Sequence, residues 1–300
     1  MKFTLAQRLS SAGADPAFRR RAIRDGLSIA GLIVIAWLFY PLPGNFGYDA
    51  HSYWGYDLNN LYKGTDSANG IGTFRYSPAF AQLLAPLSAL SFDQFLVVWD
   101  ALLIGTLVWL GGPWALAFCV IPFIPGEISY GNIHLLLAAA IVLGLRWPWT
   151  WAFVLLTKVT PGIGLLWFAV RREWRSLAIA LGATAAVVVV SAALFGPGLW
   201  VAWVQSLAGT PEAYGINHVP IPLLVRLPLA AALVAWGALT DRPWTVPLAA
   251  MLALPTIWTH SLSMVAGSLA LLLPSRRAWF RASRTRGAKA TAPAVEGSPA

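Results

Sequence analysis

The run Leu177–Phe195, LAIALGATAAVVVVSAALF, sets the class of this chain. It carries no charge, and its length matches the roughly 20 apolar residues that a straight helix needs to cross a hydrocarbon core of about 30 Å. The rest of the sequence agrees with it. The 300 residues are 58% hydrophobic and include 16 Trp, more than a soluble domain could expose and stay dispersed. Further apolar runs extend over Leu27–Pro43, Phe95–Leu110, Trp114–Pro125, Gly131–Leu145, Trp149–Thr157, Gly162–Val170, Ile221–Leu239, Thr245–Ile257 and Ser261–Pro274. The expectation is an all-α polytopic integral membrane protein with about ten transmembrane or partial-span helices. Several runs are too short for a straight crossing, so they read as broken or half-depth helices, which are tolerated where their backbone is covered by protein or lines a watery cavity.

The first run, Leu27–Pro43, follows a basic segment, but no small-residue cleavage site comes after it, so it reads as a retained helix and not as a signal peptide. The single cysteine, Cys119, excludes a disulfide framework or a Cys-based metal site. A formal charge of +9 would suit a nucleic-acid binder. Here, however, the basic residues flank apolar runs and both ends, as the positive-inside rule arranges them. With both termini cytoplasmic and the runs alternating, 17 of the 21 Lys and Arg fall on the cytoplasmic side, the exceptions being Lys63, Arg75, Lys158 and Arg226. The chain then divides into a cytoplasmic basic arm (1–26), a transmembrane domain (27–274) whose first outer loop is 44–78, and a basic tail (275–300) with the composition of a disordered segment.

That arrangement was chosen on charge alone, yet it sends most of the remaining polar chemistry to the outer face. Asp49, Asp57 and Asp66, the turn Tyr130-Gly-Asn-Ile-His134, the turn Lys158-Val-Thr-Pro161, the polar segment Glu212–His218 and all four histidines, His51, His134, His218 and His260, gather there. Ionisable groups near membrane depth are costly and commonly line a working cavity. The alternative is that outer loops are simply the polar parts of a membrane protein. Singly, Lys158 stands at the end of an apolar run and calls for an anion. Asn132 is either a helix cap or a ligand group. Asp100 has the position of a buried polar partner, and Arg226 either snorkels outward or clamps a phosphate. Trp54 and Tyr56 suit either an interfacial belt or a sugar face.

The order of motifs carries a resemblance. An acid-containing outer loop is followed by Leu61-Tyr62, Phe74-Arg-Tyr-Ser-Pro78, Pro86-Leu-Ser-Ala-Leu90, Gly131-Asn132, Lys158-Val-Thr-Pro161, Arg171-Arg-Glu-Trp174 and Trp258-Thr-His260. This series resembles the GT-C membrane glycosyltransferases, and glycosyltransferase family 87 in particular, over about Asp49 to Pro274. The stretch Phe74–Val108 also resembles the catalytic subunit of GPI mannosyltransferase I.

The resemblance implies a GT-C-like domain in the cell membrane with its active site on the outer face. It implies transfer of a sugar, mannose first, from a polyprenyl-phosphate donor to a hydroxyl of a lipid or glycan acceptor, with inversion. Asp49 is expected to be the general base, with Asp57 in reserve about two turns along the same helical face. Lys158 and His260, backed by Arg75 and Arg226, are expected at the donor phosphate. Tyr53, Trp54, Asp57, Tyr62, Tyr76, Asn132 and His134 are expected around donor and acceptor. No acid cluster has metal-ligand spacing, so neither a metal nor another cofactor is expected, and the bilayer is the remaining partner. A transporter of lipid-linked sugar or a non-catalytic partner subunit would share the crossings and the anion-binding lysine.

Overall fold

The computed structural model describes residues 15–40, 44, 46–62, 74–208, 218–276 and 278. Lys63, Asp66, Glu212 and the tail from Ala282 lie outside the described residues. Among those described, every regular element is helical, with one isolated antiparallel bridge between His218 and Trp258.

Helix α1, Pro16–Phe39, starts where the Asp15 side chain accepts the Ala17 N–H at 2.9 Å and Pro16 opens the first turn. Arg19, Arg20, Arg21 and Arg24 therefore ride its opening turns. Most of α1 is exposed, with Ile33 and Trp37 facing outward, as a helix bathed in lipid requires. Its one buried residue is Gly31, where a Cβ would meet the Leu116 carbonyl oxygen at 2.0 Å.

Helix α2 is short, Ala50–Trp54, and α3 spans Pro78–Leu84 behind the Ser77 cap. Helix α4, Phe92–Gly111, starts with a reciprocal Ser91–Gln94 capping box. Gly112, at φ +52, breaks it before α5, Ala115–Phe118. Helices α6, Phe123–Tyr130, and α7, His134–Gly144, meet at 114°. Most of α7 is buried, and it forms the centre of the bundle. Then come α8, Trp151–Thr157, α9, Leu166–Val170, and the largely exposed α10, Trp174–Phe195. Helices α11, Gly198–Ala208, α12, Leu223–Leu239, α13, Thr245–Leu252, and α14, Val265–Leu272, complete the chain.

By length and composition, three segments can cross a membrane: Pro16–Phe39, Phe92–Phe118 and Trp174–Phe195. The bent α6–α7 pair makes a fourth if it counts as one span. The chain is thus an all-α protein with the make-up of a polytopic membrane protein. The remaining apolar runs fold as shorter helices, from the 17 residues of α12 to pieces such as α8, whose seven residues cover only about 10 Å at 1.5 Å per residue.

Candidate active site

The first loop is tied to the α6–α7 bend by backbone. Gly47 N–H donates to Ser129 O at 2.8 Å and Asp49 N–H to Tyr130 O at 2.9 Å. Gly131 closes α6 in the left-handed region, φ +68, and a Cβ there would stand 2.8 Å from that of Ala50. Only glycine meets both demands cheaply. Trp99 of α4 donates its indole N–H to Gly131 O at 2.7 Å, which pins the bend from a third side.

Two linked groups of side chains grow from this junction. In the first, Asn132 is the hub. Its Oδ1 accepts from Tyr53 Oη at 3.0 Å and from the Ile133 N–H at 2.7 Å, so its Nδ2 faces Asp49 Oδ2 at 2.7 Å and His260 Nε2 at 3.2 Å. Asp49 Oδ2 also lies 3.4 Å from His260 Nε2. His260 stacks on Tyr130, with ring centroids 4.8 Å apart, and Tyr53 Oη lies 2.9 Å from Tyr76 Oη. The Asp49 side chain keeps 24% of its surface exposed. Burial of the rest raises its pKa to about 6, with the Asn132 hydrogen bond pulling the other way.

In the second group a fully buried carboxylate, Glu127 of α6, accepts the backbone N–H of His134 on one oxygen and lies 3.1 Å from His134 Nδ1 with the other. His134 Nε2 then meets Lys158 Nζ at 3.0 Å and Ser261 Oγ at 3.1 Å. Lys158 is in place because α8 ends at Thr157 and the chain turns extended at the lysine. The two groups touch through His134 and His260, whose rings lie 5.6 Å apart. Glu127, His134 and His260 offer ligand atoms all within 4.8 Å of one another, a set that could hold a divalent cation. The Lys158 ammonium already stands against the same imidazole.

Of the residues expected from sequence, Asp49, Tyr53, Tyr76, Asn132, His134, Lys158 and His260 come together. Others do not. Arg226 is buried and commits four N–H groups to carbonyls, those of Ile221, Leu252 and Leu254 at 2.7 Å and of Pro255 at 2.8 Å. Asp57 lies beyond the end of α2 at Trp54 and accepts from Asn60 Nδ2 at 3.2 Å, so the two helical turns expected between it and Asp49 do not form. Trp54 donates to Leu90 O and Tyr62 to Tyr76 O, both at 2.8 Å, and so fasten the loop. Arg75 is half-buried next to Tyr76, and its charge acts on that tyrosine of the cluster. His51 stacks on Phe92, with ring centroids 3.6 Å apart, and His218 packs edge-on to Trp258.

Glu127 escaped the sequence reading. It interrupts the apolar stretch Phe123-Ile-Pro-Gly-Glu-Ile-Ser-Tyr130, and a lone acid inside such a run is itself a signal.

No curated protein and no solved structure matches the chain. The model of glycosyltransferase family 87 matches residues 74–292, well over half of its length. That span holds Glu127, Asn132, His134, Lys158 and His260 but not Asp49. The chain belongs to glycosyltransferase family 87, and it is a membrane glycosyltransferase.

Proposed function

We propose that this enzyme moves a sugar, mannose first among candidates, from a polyprenyl-phosphate donor to a hydroxyl of a lipid or glycan acceptor on the outer face of the membrane. The observation that carries the proposal is the pairing, across one cluster, of a partly exposed carboxylate at Asp49 with the Lys158 ammonium, joined through Asn132, His260 and His134.

Asp49 takes the acceptor's hydroxyl proton as the oxygen bonds to the anomeric carbon. The bond from that carbon to the phosphate oxygen breaks, its electron pair stays on the phosphate, and the configuration inverts. A pKa near 6 leaves Asp49 ionised at neutral pH and still basic enough to share a proton in the transition state. The developing charge on the leaving phosphate meets Lys158, and such electrostatic stabilisation is usually the largest catalytic contribution. In this reading the short helices around α8 and α9 are partial spans, the chain makes about ten crossings or partial crossings, and both termini are cytoplasmic.

Purified protein in liposomes with radiolabelled polyprenyl-phosphate mannose and acceptor lipid extract tests the reading. It requires a new glycosidic product. Donor translocated without product would make the protein a transporter, and neither outcome would make it a partner subunit.

A further inference from the structure

Among the described residues, Lys158 Nζ donates to His134 and makes no ion pair with a carboxylate, although Glu127 lies just behind the same imidazole. A contact pair with Glu127 would be the ordinary fate of a lysine beside a buried acid. The imidazole prevents it. His134 meets both Glu127 oxygens, one with its backbone N–H and one with Nδ1, and so stands between the carboxylate and the lysine. That arrangement holds the ring proton on Nδ1 and leaves the single Nε2 lone pair facing Lys158 Nζ at 3.0 Å, with Ser261 Oγ 3.1 Å from the same nitrogen. The ammonium spends one of its three N–H groups on His134.

We propose that His134 is a positioning residue, a spacer that holds the Lys158 ammonium off Glu127 so that it remains open to the donor's phosphate, with Glu127 fixing the spacer's tautomer. The phosphate half of this inference rests on the function proposed above, while the spacing itself does not. Without the ring, Lys158 and Glu127 would close into a contact pair and hide the cation. Glutamine at 134 can mimic both contacts, its amide N–H₂ donating to Glu127 and its carbonyl oxygen accepting from Lys158. Alanine can do neither.

The test uses the full chain in nanodiscs, with farnesyl phosphate as the binding probe and reductive methylation of Lys158, read by mass spectrometry, as a measure of how open the amine is. His134→Ala should weaken farnesyl phosphate binding by about tenfold or more and slow methylation, the loss expected when a charge-assisted contact goes. His134→Gln should stay within about threefold of the parent, a difference under 1 kcal/mol. Adding Glu127→Gln to His134→Ala removes the competing acid, so binding and methylation should both recover, which a merely structural defect would not do.

The proposal is overturned if His134→Ala binds as the parent does, or if the double variant is no better than the single one. It is overturned as well if chelation abolishes binding and a divalent metal restores it, for then Glu127, His134 and His260 hold a metal. If the parent protein does not bind farnesyl phosphate, the donor class proposed above fails. The methylation pattern alone then decides: slow only in His134→Ala upholds the spacer, and equal rates in all variants reject it.

Discussion

Asn132 Nδ2 donates to Asp49 Oδ2 at 2.7 Å while Asn132 Oδ1 accepts from Tyr53 at 3.0 Å, so one amide orders both the acid and the aromatic wall beside it. The amide orientation follows from the network, because the Ile133 N–H also points at Oδ1 and fixes that atom as the acceptor.

This sets a pH dependence with a definite sign. Burial holds Asp49 near 6 in the folded protein, and the base works only when ionised, so kcat/KM should fall as pH drops through about 6 and level off above it. Asn132→Asp removes the one hydrogen bond that lowers this pKa and adds a neighbouring acid. The acidic limb should then move to higher pH. A limb that stays in place in the pH–rate profile would separate Asn132 from the base.

Arg226 gives the opposite kind of expectation. Its four donated hydrogen bonds hold carbonyls of the segment Leu252–Pro255 and of Ile221. Arg226→Met strands those acceptors, and each buried orphan costs about 1–3 kcal/mol. Thermal unfolding in detergent should shift clearly downward, while the surviving folded enzyme keeps its donor KM. A raised KM with unchanged melting would put the guanidinium back at the phosphate.

What the sequence could reveal follows from how each residue is held. Leu177–Phe195 was legible because an uncharged run of that length has one common use in a chain of this composition. Asn132, Lys158 and His260 were legible as polar groups interrupting apolar sequence. Arg226 looked the same, and no local pattern distinguishes a guanidinium that meets phosphate from one that meets backbone carbonyls. Asp57 misled because period-3.6 spacing was extended past a helix that stops at Trp54 and Gly55. Glu127 was missed because its partner is the α7 start, reached through a 114° bend that only the left-handed Gly131 permits.

Topology can be tested at two exposed positions. Ser88 lies near Leu90, which holds Trp54 of the first loop, and Thr240 sits beside the Arg171–Asp241 ion pair. Single cysteines placed there in a Cys119→Ser background should react differently with a membrane-impermeant maleimide, position 88 from outside and position 240 only after permeabilisation. Labelling of position 240 in sealed cells would reverse the orientation.

Lys158→Met keeps the length of the side chain and removes the charge. Donor binding should weaken by about tenfold or more and turnover should fall, because a cation against a phosphate contributes in both ground and transition states. Expression should remain near normal, since the lysine's only hydrogen bond among the described residues is to His134. Loss of folded protein would instead make Lys158 a structural counter-ion to Glu127 and Asp49.

The sharpest expectation concerns the two acids of the first loop. Asp49→Asn keeps size and polarity but removes basicity, so turnover should fall by about 10²–10⁴-fold. Donor affinity should change little, because a contact strengthened mainly in the transition state appears in kcat and not in ground-state binding. Asp57→Asn is the matched control. It alters an equally polar residue that sits past the end of α2 and accepts from Asn60 Nδ2 at 3.2 Å. Single-turnover measurements with saturating donor should therefore show one nearly dead variant and one nearly normal one. If Asp57→Asn is the dead variant, the acid that Asn132 holds is only a neighbour of the chemistry. If both transfer sugar normally, no carboxylate of this loop takes the proton, and the Asp49–Asn132–His260 group serves to bind and not to react.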